Sequence, residues 1–356
     1  MVDTAARAAT TEIEGPARAR RPWWVTTLWV LHALLRFVLI VWLSNYAFAK
    51  LYLGQMQQLD YSWALTTVGE KSPMGLLWLF MGYSPVVQFL AGLAELVVML
   101  LLVFRRTAWL GGLIGVVALG TVFLLNLTFD VPVKQPALAG TIALFLVALP
   151  ELPRVLQFVT GRPAAGTAGS PPLLPWPRIR RVTRWADPVL GLVLVVFLGW
   201  SQWQWQSPSA RIDSALPGVY RVVSDRSTVP GGERWTEVAL GQWTPTAAIE
   251  LPGINWENGS AGVRTRTADG QLLKGRYHLV RGDGVAMTLK PDVVPDDPAA
   301  GRPPQDLELR WSARPDGTVT LTGAGRDLVL VRDPNRTLLY DRGFSWNLGD
   351  DAAVNR

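Results

Sequence analysis

The segment PVVQFLAGLAELVVMLLLVF, residues 85–104, decides the fold, because Glu95 is its one ionisable side chain. A helix needs roughly 20 mainly apolar residues to cross the hydrocarbon core of a bilayer. This segment has that length and that composition. It therefore predicts a membrane-spanning helix.

Four other segments have a similar composition and complete a set of five predicted spans. They cover residues 24–50, 109–129, 136–152 and 188–205. Pro136 and Pro188 suit the first turn of a helix, where a missing N–H group costs little. The first four spans predict a compact helical bundle. The fifth follows a stretch rich in proline, glycine, alanine and arginine, which is typical of a linker.

The composition supports a membrane protein and excludes several kinds of chemistry. Hydrophobic residues make up 49% of the 356 positions and charged residues only 17%, against about 25% charged residues in soluble proteins. The chain has 17 tryptophans, and tryptophan favours the membrane–water interface. It has no cysteine, which excludes disulfides, thiol catalysis and thiolate-held clusters. The two histidines, His32 and His278, are too few for a multi-His zinc site, so no metal site is predicted.

The distribution of positive charge predicts the orientation of the spans. Twelve Lys and Arg residues lie in the N-terminal tail, the second-to-third turn and the fourth-to-fifth linker, whereas the opposite loops carry only Lys50, Lys71 and Lys134. Positively charged loops stay in the cytoplasm. We therefore expect an inner (plasma) membrane protein with a cytoplasmic N-terminus. A signal peptide ending at residues 47–49 (AFA) is the rival interpretation, but the apolar stretch exceeds the ~7–15 residues of such a segment.

The predicted organisation has five parts. In order, they are a cytoplasmic tail (1–22), a four-helix transmembrane core (23–152), a cytoplasmic linker (153–186), a fifth transmembrane helix (187–206) and an extracytoplasmic β-rich domain (207–356). The last part has about 150 residues, enough to bury a sizeable core without disulfides.

The extracytoplasmic part predicts an all-β domain. Residues 307–311 (LELRW) alternate apolar and polar side chains, and Asp-Gly pairs are strong hairpin signals. Candidate strands cover residues 216–223, 235–240, 247–251, 262–267, 272–281, 285–290, 306–311, 318–322 and 327–332. Sequential hairpins favour an antiparallel meander that closes into a barrel of about eight strands, and a β-sandwich is the alternative. Residues 218–220 (GVY) resemble the start of a lipocalin-like barrel.

Two ionisable residues lie inside the predicted spans, where such groups pair or line a cavity. Arg36 lies about 18 Å and Glu95 about 14 Å from the inner membrane face at 1.5 Å per helical residue. The similar depths predict an intramembrane ion pair between Arg36 and Glu95. A structural bridge and a proton or ligand site both remain open for this pair.

A second polar cluster is predicted near the outer face. Its members are Tyr46, Lys50, Gln55, Asn126, Asp130 and Lys134. We expect a contact between Lys50 and Asp130. The cluster is a candidate site for a quinone or lipid head group or for a protein partner, and ordinary anchoring at the interface explains the same residues equally well.

Several segments resemble DoxX-like membrane proteins over roughly residues 25–152. They are residues 46–50 (YAFAK), 92–95 (GLAE), 104–107 (FRRT) and 126–134 (NLTFDVPVK). The resemblance is greatest to a bacterial branch with an appended outer domain. Residues 342–346 (RGFSW) also resemble the tail of that branch, whereas residues 347–354 depart from it. The resemblance implies a four-helix core and association with quinone-linked or thiol-linked redox systems. The oxidoreductase activity behind the family name is not carried over, because the chain has no cysteine and no flavin, haem or metal motif.

Three functions remain open at this stage. The first is a non-catalytic accessory or scaffold subunit of a membrane redox or envelope system. The second is a binder of a small lipophilic ligand, a quinone or a lipid, at the outer polar cluster or inside the barrel. The third is a transporter or membrane enzyme that uses Arg36 and Glu95. No cofactor is evident, and the partners expected are the lipid bilayer and a redox or envelope protein. Nucleic acid is not expected, because the positive charge is confined to the hydrophobic half.

Overall fold

The computed structural model describes residues 22–162, 177–206, 209–244 and 259–341. The candidate strand at 247–251 and the tail residues 342–356 lie outside the described residues, as do residues 1–21 and residues 163–176 of the linker.

The first half of the chain is helical. Its helices are α1 (Trp23–Leu51), α2 (Pro73–Tyr83), α3 (Pro85–Val103), α4 (Ala108–Thr128), α5 (Lys134–Ala148), α6 (Leu152–Val159) and α7 (Pro177–Gln206), and a last short helix, α8 (Leu338–Asp341), follows the β domain. Four apolar segments are long enough to cross a membrane: α1, α3, α4 and the stretch Lys134–Val159. The apolar part of α7, Pro188–Gln204, is shorter. The helix α2 was not predicted, because 11 residues are too few to span a bilayer.

Small residues let the helices approach closely. A Cβ atom at Gly92 of α3 would lie 2.8 Å from the carbonyl oxygen of Ala47 in α1, and one at Gly112 of α4 would lie 2.7 Å from the carbonyl oxygen of Leu144 in α5. Both distances are too short for any side chain, so glycine is needed for this packing.

The helix α7 lies along α1 and runs in the same direction. Gly191 of α7 contacts Val103 at the end of α3, and Gly199 contacts the ring of Phe48 near the end of α1. The hydroxyl of Tyr52 donates to the carbonyl oxygen of Gly199 at 2.9 Å. The end of α7 therefore lies beside the end of α1, and the β domain follows directly from there.

The β domain is a closed antiparallel barrel of eight strands. A two-stranded sheet of β1 (Ala210–Arg211) and β4 (Trp243–Thr244) accompanies it. The barrel strands are β2 (Gly218–Asp225), β3 (Trp235–Leu240), β5 (Ala261–Thr267), β6 (Leu272–Leu279), β7 (Gly284–Pro291), β8 (Gln305–Ala313), β9 (Val319–Gly323) and β10 (Arg326–Arg332). Each strand pairs with the next along the chain, and β10 closes on β2. The predicted barrel is confirmed and the sandwich alternative is wrong. The lipocalin likeness stays a prediction.

Side chains fill the inside of the barrel. Trp235, Tyr220 and Tyr277 are the largest fully buried residues there, and they pack among leucines and valines from all eight strands. The two tyrosine hydroxyls donate to the carbonyl oxygens of Leu216 and Gly241, at 2.7 and 2.6 Å. These side chains occupy the space that a ligand inside the barrel would need.

The connection between α1 and α2 packs against that outer wall. Residues 59–70, here called the docking loop, contain two short 3₁₀ turns. The fully buried Leu65 of this loop packs against Val219, Ala239 and Leu272 on the outside of the barrel. The barrel is therefore held against the same end of the helical bundle where α1 and α7 finish.

Candidate ligand cleft between the helices and the barrel

A cleft of about 1450 Å³ separates the helical half from the barrel. One wall is formed by residues 55–63 and the start of α2, and the other by the outer faces of β5, β6, β7 and β8. Its volume exceeds the roughly 300–1,000 Å³ of common small-molecule pockets.

The helical wall of the cleft carries four large apolar side chains among polar ones. Met56, Trp63, Met74 and Trp78 line it. Methionine side chains adapt their shape to irregular apolar ligands, and tryptophan combines a large apolar ring with one N–H donor. This wall can accommodate a hydrocarbon chain.

A buried glutamine of α3 fixes the shape of the helical wall. Gln88 has no exposed surface, and its Oε1 accepts from the backbone N–H of Met56 at 3.0 Å. Its Nε2 donates to the carbonyl oxygen of Gln57 at 3.2 Å. Gln57 has a left-handed backbone with φ of 62°, which is unfavourable for a residue other than glycine. The amide of Gln88 thus holds a strained turn in place.

The barrel wall of the cleft is strongly cationic. Arg264, Lys274 and Lys290 are direct cross-strand neighbours on β5, β6 and β7. Arg276 lies two residues further along β6, on the same outer face, and Lys71 approaches from the end of the docking loop.

One carboxylate partly neutralises this wall. Asp292 accepts from Arg264 Nε at 3.1 Å and from Lys274 Nζ at 2.5 Å. Burial alone would raise the pKa of Asp292, but the two cations outweigh it and lower the pKa. Burial, followed by the nearby charge of Arg264, lowers the pKa of Lys71. Burial also lowers the pKa of Arg276 to about 10, which leaves it charged at neutral pH.

The docking loop is attached to the barrel through a buried carboxylate. Asp60 accepts from the backbone N–H groups of Ser62 and Trp243, at 2.9 and 3.2 Å. A Cβ atom at Gly241 would lie 2.3 Å from the Asp60 carboxylate, and one at Gly262 would lie 2.5 Å from Ser62 Oγ. Only glycine at these two positions, one just after β3 and one in β5, lets the loop reach the wall.

Further hydrogen bonds extend the attachment on both sides of Asp60. Gln242 accepts from the Tyr61 N–H at 2.8 Å and donates to the Leu59 carbonyl oxygen at 3.1 Å. Arg266 donates to both oxygens of Glu70, at 2.9 and 2.8 Å, and to the carbonyl oxygen of Leu65 at 2.7 Å. The hydrogen bond from Arg266 lowers the pKa of Glu70 to about 2.

The predicted ion pair between Arg36 and Glu95 is wrong, because the structure pairs Glu95 with Lys50. Lys50 Nζ lies 2.8 and 2.9 Å from the two carboxylate oxygens, and both side chains are buried. Arg36 Nε and Nη2 instead donate to the carbonyl oxygens of Leu102 and Val103, at 2.8 and 2.7 Å. Its charge therefore satisfies the last carbonyls of α3.

Side-chain direction explains this correction. In an α-helix, long side chains point back toward the N-terminus of their own helix. The helices α1 and α3 are antiparallel, because Arg36 contacts the end of α3 while Gly92 contacts the end of α1. Lys50 and Glu95 consequently point toward each other, whereas Arg36 points away from Glu95. The depth argument also assumed that α1 and α3 begin at the same inner level, whereas Arg36 lies beside Leu102 and Val103, about two helical turns from Glu95.

The predicted outer polar cluster does not form a single pocket. The Tyr46 ring lies beside Lys50, with the Nζ atom 5.7 Å from the ring centroid. Asp130 is ion-paired with Lys134, one helical turn further on. The expected contact between Lys50 and Asp130 is therefore wrong, because each has a different partner.

The two amide side chains of that cluster, Asn126 and Gln55, also lie apart. Asn126 is buried within α4. Gln55 lines the cleft, and its buried Oε1 has no hydrogen-bond partner within the part of the chain that the structure describes. Gln55 is thus the one member of the cluster that belongs to the cleft wall.

The lone histidine of α1 has a packing role. The His32 ring Nε2 lies 3.1 Å from the carbonyl oxygen of Val147 in α5. His278 lies on the barrel wall of the cleft. In the described ranges no group of three His, Asp or Glu side chains could hold a metal ion.

Sequence reasoning missed the barrel wall as a site. Alternating charges on β5 and β6 are typical of a solvated face, and that pattern does not say what the face lies against. The signal available was that basic residues recur at every second position, at Lys274, Arg276 and His278.

No protein-family model, no curated protein and no solved structure matches this chain.

We expect Glu95→Gln to destabilise the protein by about 3–5 kcal/mol, because it leaves the Lys50 ammonium buried without a counter-ion. The double variant Lys50→Met/Glu95→Leu should recover most of this loss, since an apolar pair can replace a buried ion pair. Asp130→Asn, which breaks an exposed pair, should change little. Denaturant unfolding in detergent measures all three. A double variant less stable than Glu95→Gln would contradict a purely structural pair.

The attachment of the barrel should depend on pH through Asp60. Burial raises the pKa of Asp60, so the docked state holds its proton more tightly, and docking weakens as pH rises through that raised pKa. Glu70 acts in the opposite direction, because docking loses its contribution as pH falls from about 4.5 toward about 2. Asp60→Asn should therefore remove the weakening at higher pH, and Glu70→Gln should remove the loss at low pH. Energy transfer between dyes on α6 and the barrel follows docking, and unchanged pH profiles would contradict the assignment.

Proposed function

We propose that this protein is a multi-pass membrane protein that binds an amphiphilic ligand in the cleft between its helices and its barrel. The observation that carries the proposal is the difference between the two walls. Met56, Met74 and Trp78 line one wall, while Arg276 and Lys290 line the other. A ligand with a hydrocarbon part and a polar head matches both walls, and a wholly polar or wholly apolar ligand matches only one.

The proposal places the cleft at the outer face of the inner membrane. α1, α3, α4 and Lys134–Val159 have the length to cross, and α7 runs beside α1 in the same direction. A fifth crossing by Pro188–Gln204 then carries the chain to the side opposite the arginine-rich segments. The positive-inside rule makes that side extracytoplasmic.

The DoxX-like resemblance is part of the same proposal. Lys50 and Glu95, which form the buried pair, both belong to segments that carry the resemblance. The four apolar segments also agree in number with the four-helix core that the resemblance implies. A quinone or a lipid is the class of ligand that such a membrane setting would supply.

A second candidate function is that of a non-catalytic accessory subunit. It is favoured by the attachment of the docking loop, because Asp60, Gln242 and Arg266 together hold the barrel in one position relative to the helices. A barrel held in this way presents a constant surface to a redox or envelope protein. The transporter or enzyme hypothesis loses its basis, because Arg36 and Glu95 do not meet.

The absence of cysteine allows a direct test of topology. Ser312→Cys places a thiol on the exposed face of β8, and Thr160→Cys places one after α6. On intact spheroplasts, a membrane-impermeant maleimide should label Ser312→Cys at once and Thr160→Cys only after lysis. The reverse order would overturn the proposed orientation.

Blocking the cleft should release its ligand. Thr288→Trp puts a large ring into the cleft from β7, whereas Thr322→Trp puts the same ring on β9, away from the cleft lining. Native mass spectrometry after extraction in mild detergent should find bound lipid or quinone on the wild type and on Thr322→Trp, but little on Thr288→Trp. Equal retention by all three proteins would contradict binding in the cleft.

A further inference from the structure

We propose that the cleft selects a membrane lipid with an anionic, phosphate-bearing head group. This inference rests on the proposed function and names the class of ligand. The head group would lie on the cationic row of the barrel wall, and the acyl chains would lie along Met56, Met74 and Trp78.

The first argument is the arrangement of like charges across three strands. Arg264 faces Lys274, and Lys274 faces Lys290, in direct cross-strand register. Like charges directly opposite each other destabilise a sheet. Such a row is stabilised by anions, as the ion pairs of Asp292 with Arg264 and Lys274 show.

The second argument is the excess of cations over the whole lining. Five Lys and Arg side chains line the cleft, against three carboxylates in the lining and Asp292 beside it, which pairs with two of the five cations. Two of those carboxylates already accept hydrogen bonds, because Asp60 binds the N–H groups of Ser62 and Trp243, and Asp306 accepts from Thr288 Oγ1 at 2.6 Å. The cleft therefore favours an anionic ligand over a cationic or neutral one.

The third argument is that Arg276 is an arginine whose guanidinium is held in place by hydrogen bonds. Its Nη1 donates to the carbonyl oxygen and the hydroxyl of Ser260, at 2.6 and 2.7 Å. These bonds hold one edge of the planar guanidinium, whose rigid fork of donors suits the oxygens of a phosphate. Lys71, on the opposite wall, adds a second cation that faces the same space.

The source of the phosphate follows from the apolar wall. Residues 55–63 connect directly to the end of α1, and Trp78 belongs to α2, which leads into α3. A bilayer lipid could reach this wall along the helices, whereas a soluble phosphate ester would leave the four apolar side chains uncovered. The chemistry therefore favours a lipid over a free phosphate ester.

The test uses the full-length protein in nanodiscs with equal amounts of phosphatidylglycerol and phosphatidylcholine. After detergent extraction, the wild type should retain phosphatidylglycerol about tenfold over phosphatidylcholine. Lys71→Gln/Lys290→Gln should lose this preference. The charge-matched control Arg221→Gln/Arg310→Gln removes two exposed cations outside the cleft lining and should keep it. The preference should also weaken with added salt.

Three results would overturn the inference. One is equal retention of the two lipids by the wild type, and another is an equal loss of preference in both double variants. The third is binding of glycerol phosphate, without acyl chains, as tight as that of phosphatidylglycerol, which would assign a soluble ligand. If Thr288→Trp releases lipid while the wild type shows no head-group preference, the cleft still binds amphiphiles and only the phosphate assignment fails.

Discussion

The buried carboxylate of Asp60, together with the two glycines that admit it, determines where the two halves of this protein lie. Gly241 and Gly262 leave just enough room on the barrel wall for the docking loop. That loop follows the end of α1, and the barrel follows the end of α7. The contact between the loop and the barrel therefore brings the two halves of the chain together. The width of the cleft is set by this contact, and the site chemistry depends on it.

Neither half of the chain forms the cleft alone. The helical half contributes methionine and tryptophan side chains, and the barrel contributes arginine and lysine side chains. A barrel without the docking loop would expose its basic strands to solvent as an ordinary charged face. The juxtaposition makes that face one wall of the cleft, which is the proposed amphiphile site, with Asp292 balancing part of its charge.

Local patterns in the sequence were enough to predict the helices and strands, but they were not enough to predict the long-range contacts. The strand at Trp235–Leu240 was predicted at its observed bounds, because alternation and turn residues are local signals. Asp60 and Trp243 are 183 positions apart in the chain, and nothing in either neighbourhood indicates the other. The partner of Glu95 was predicted wrongly because counting residues from the helix ends misses the register of the two helices, which places Arg36 beside Leu102 and brings Lys50 to Glu95.

Two polar residues of α3 each hold a neighbouring segment, one by hydrogen bonds and one by an ion pair. Gln88 holds the turn at Met56 and Gln57, and Glu95, two helical turns further on, holds Lys50 of α1. A piston movement of α3 along its axis would strain both at once. In the proposed membrane setting, membrane thickness or a neighbouring protein that shifts α3 would therefore change the shape of the cleft and affect the ligand proposed to bind there.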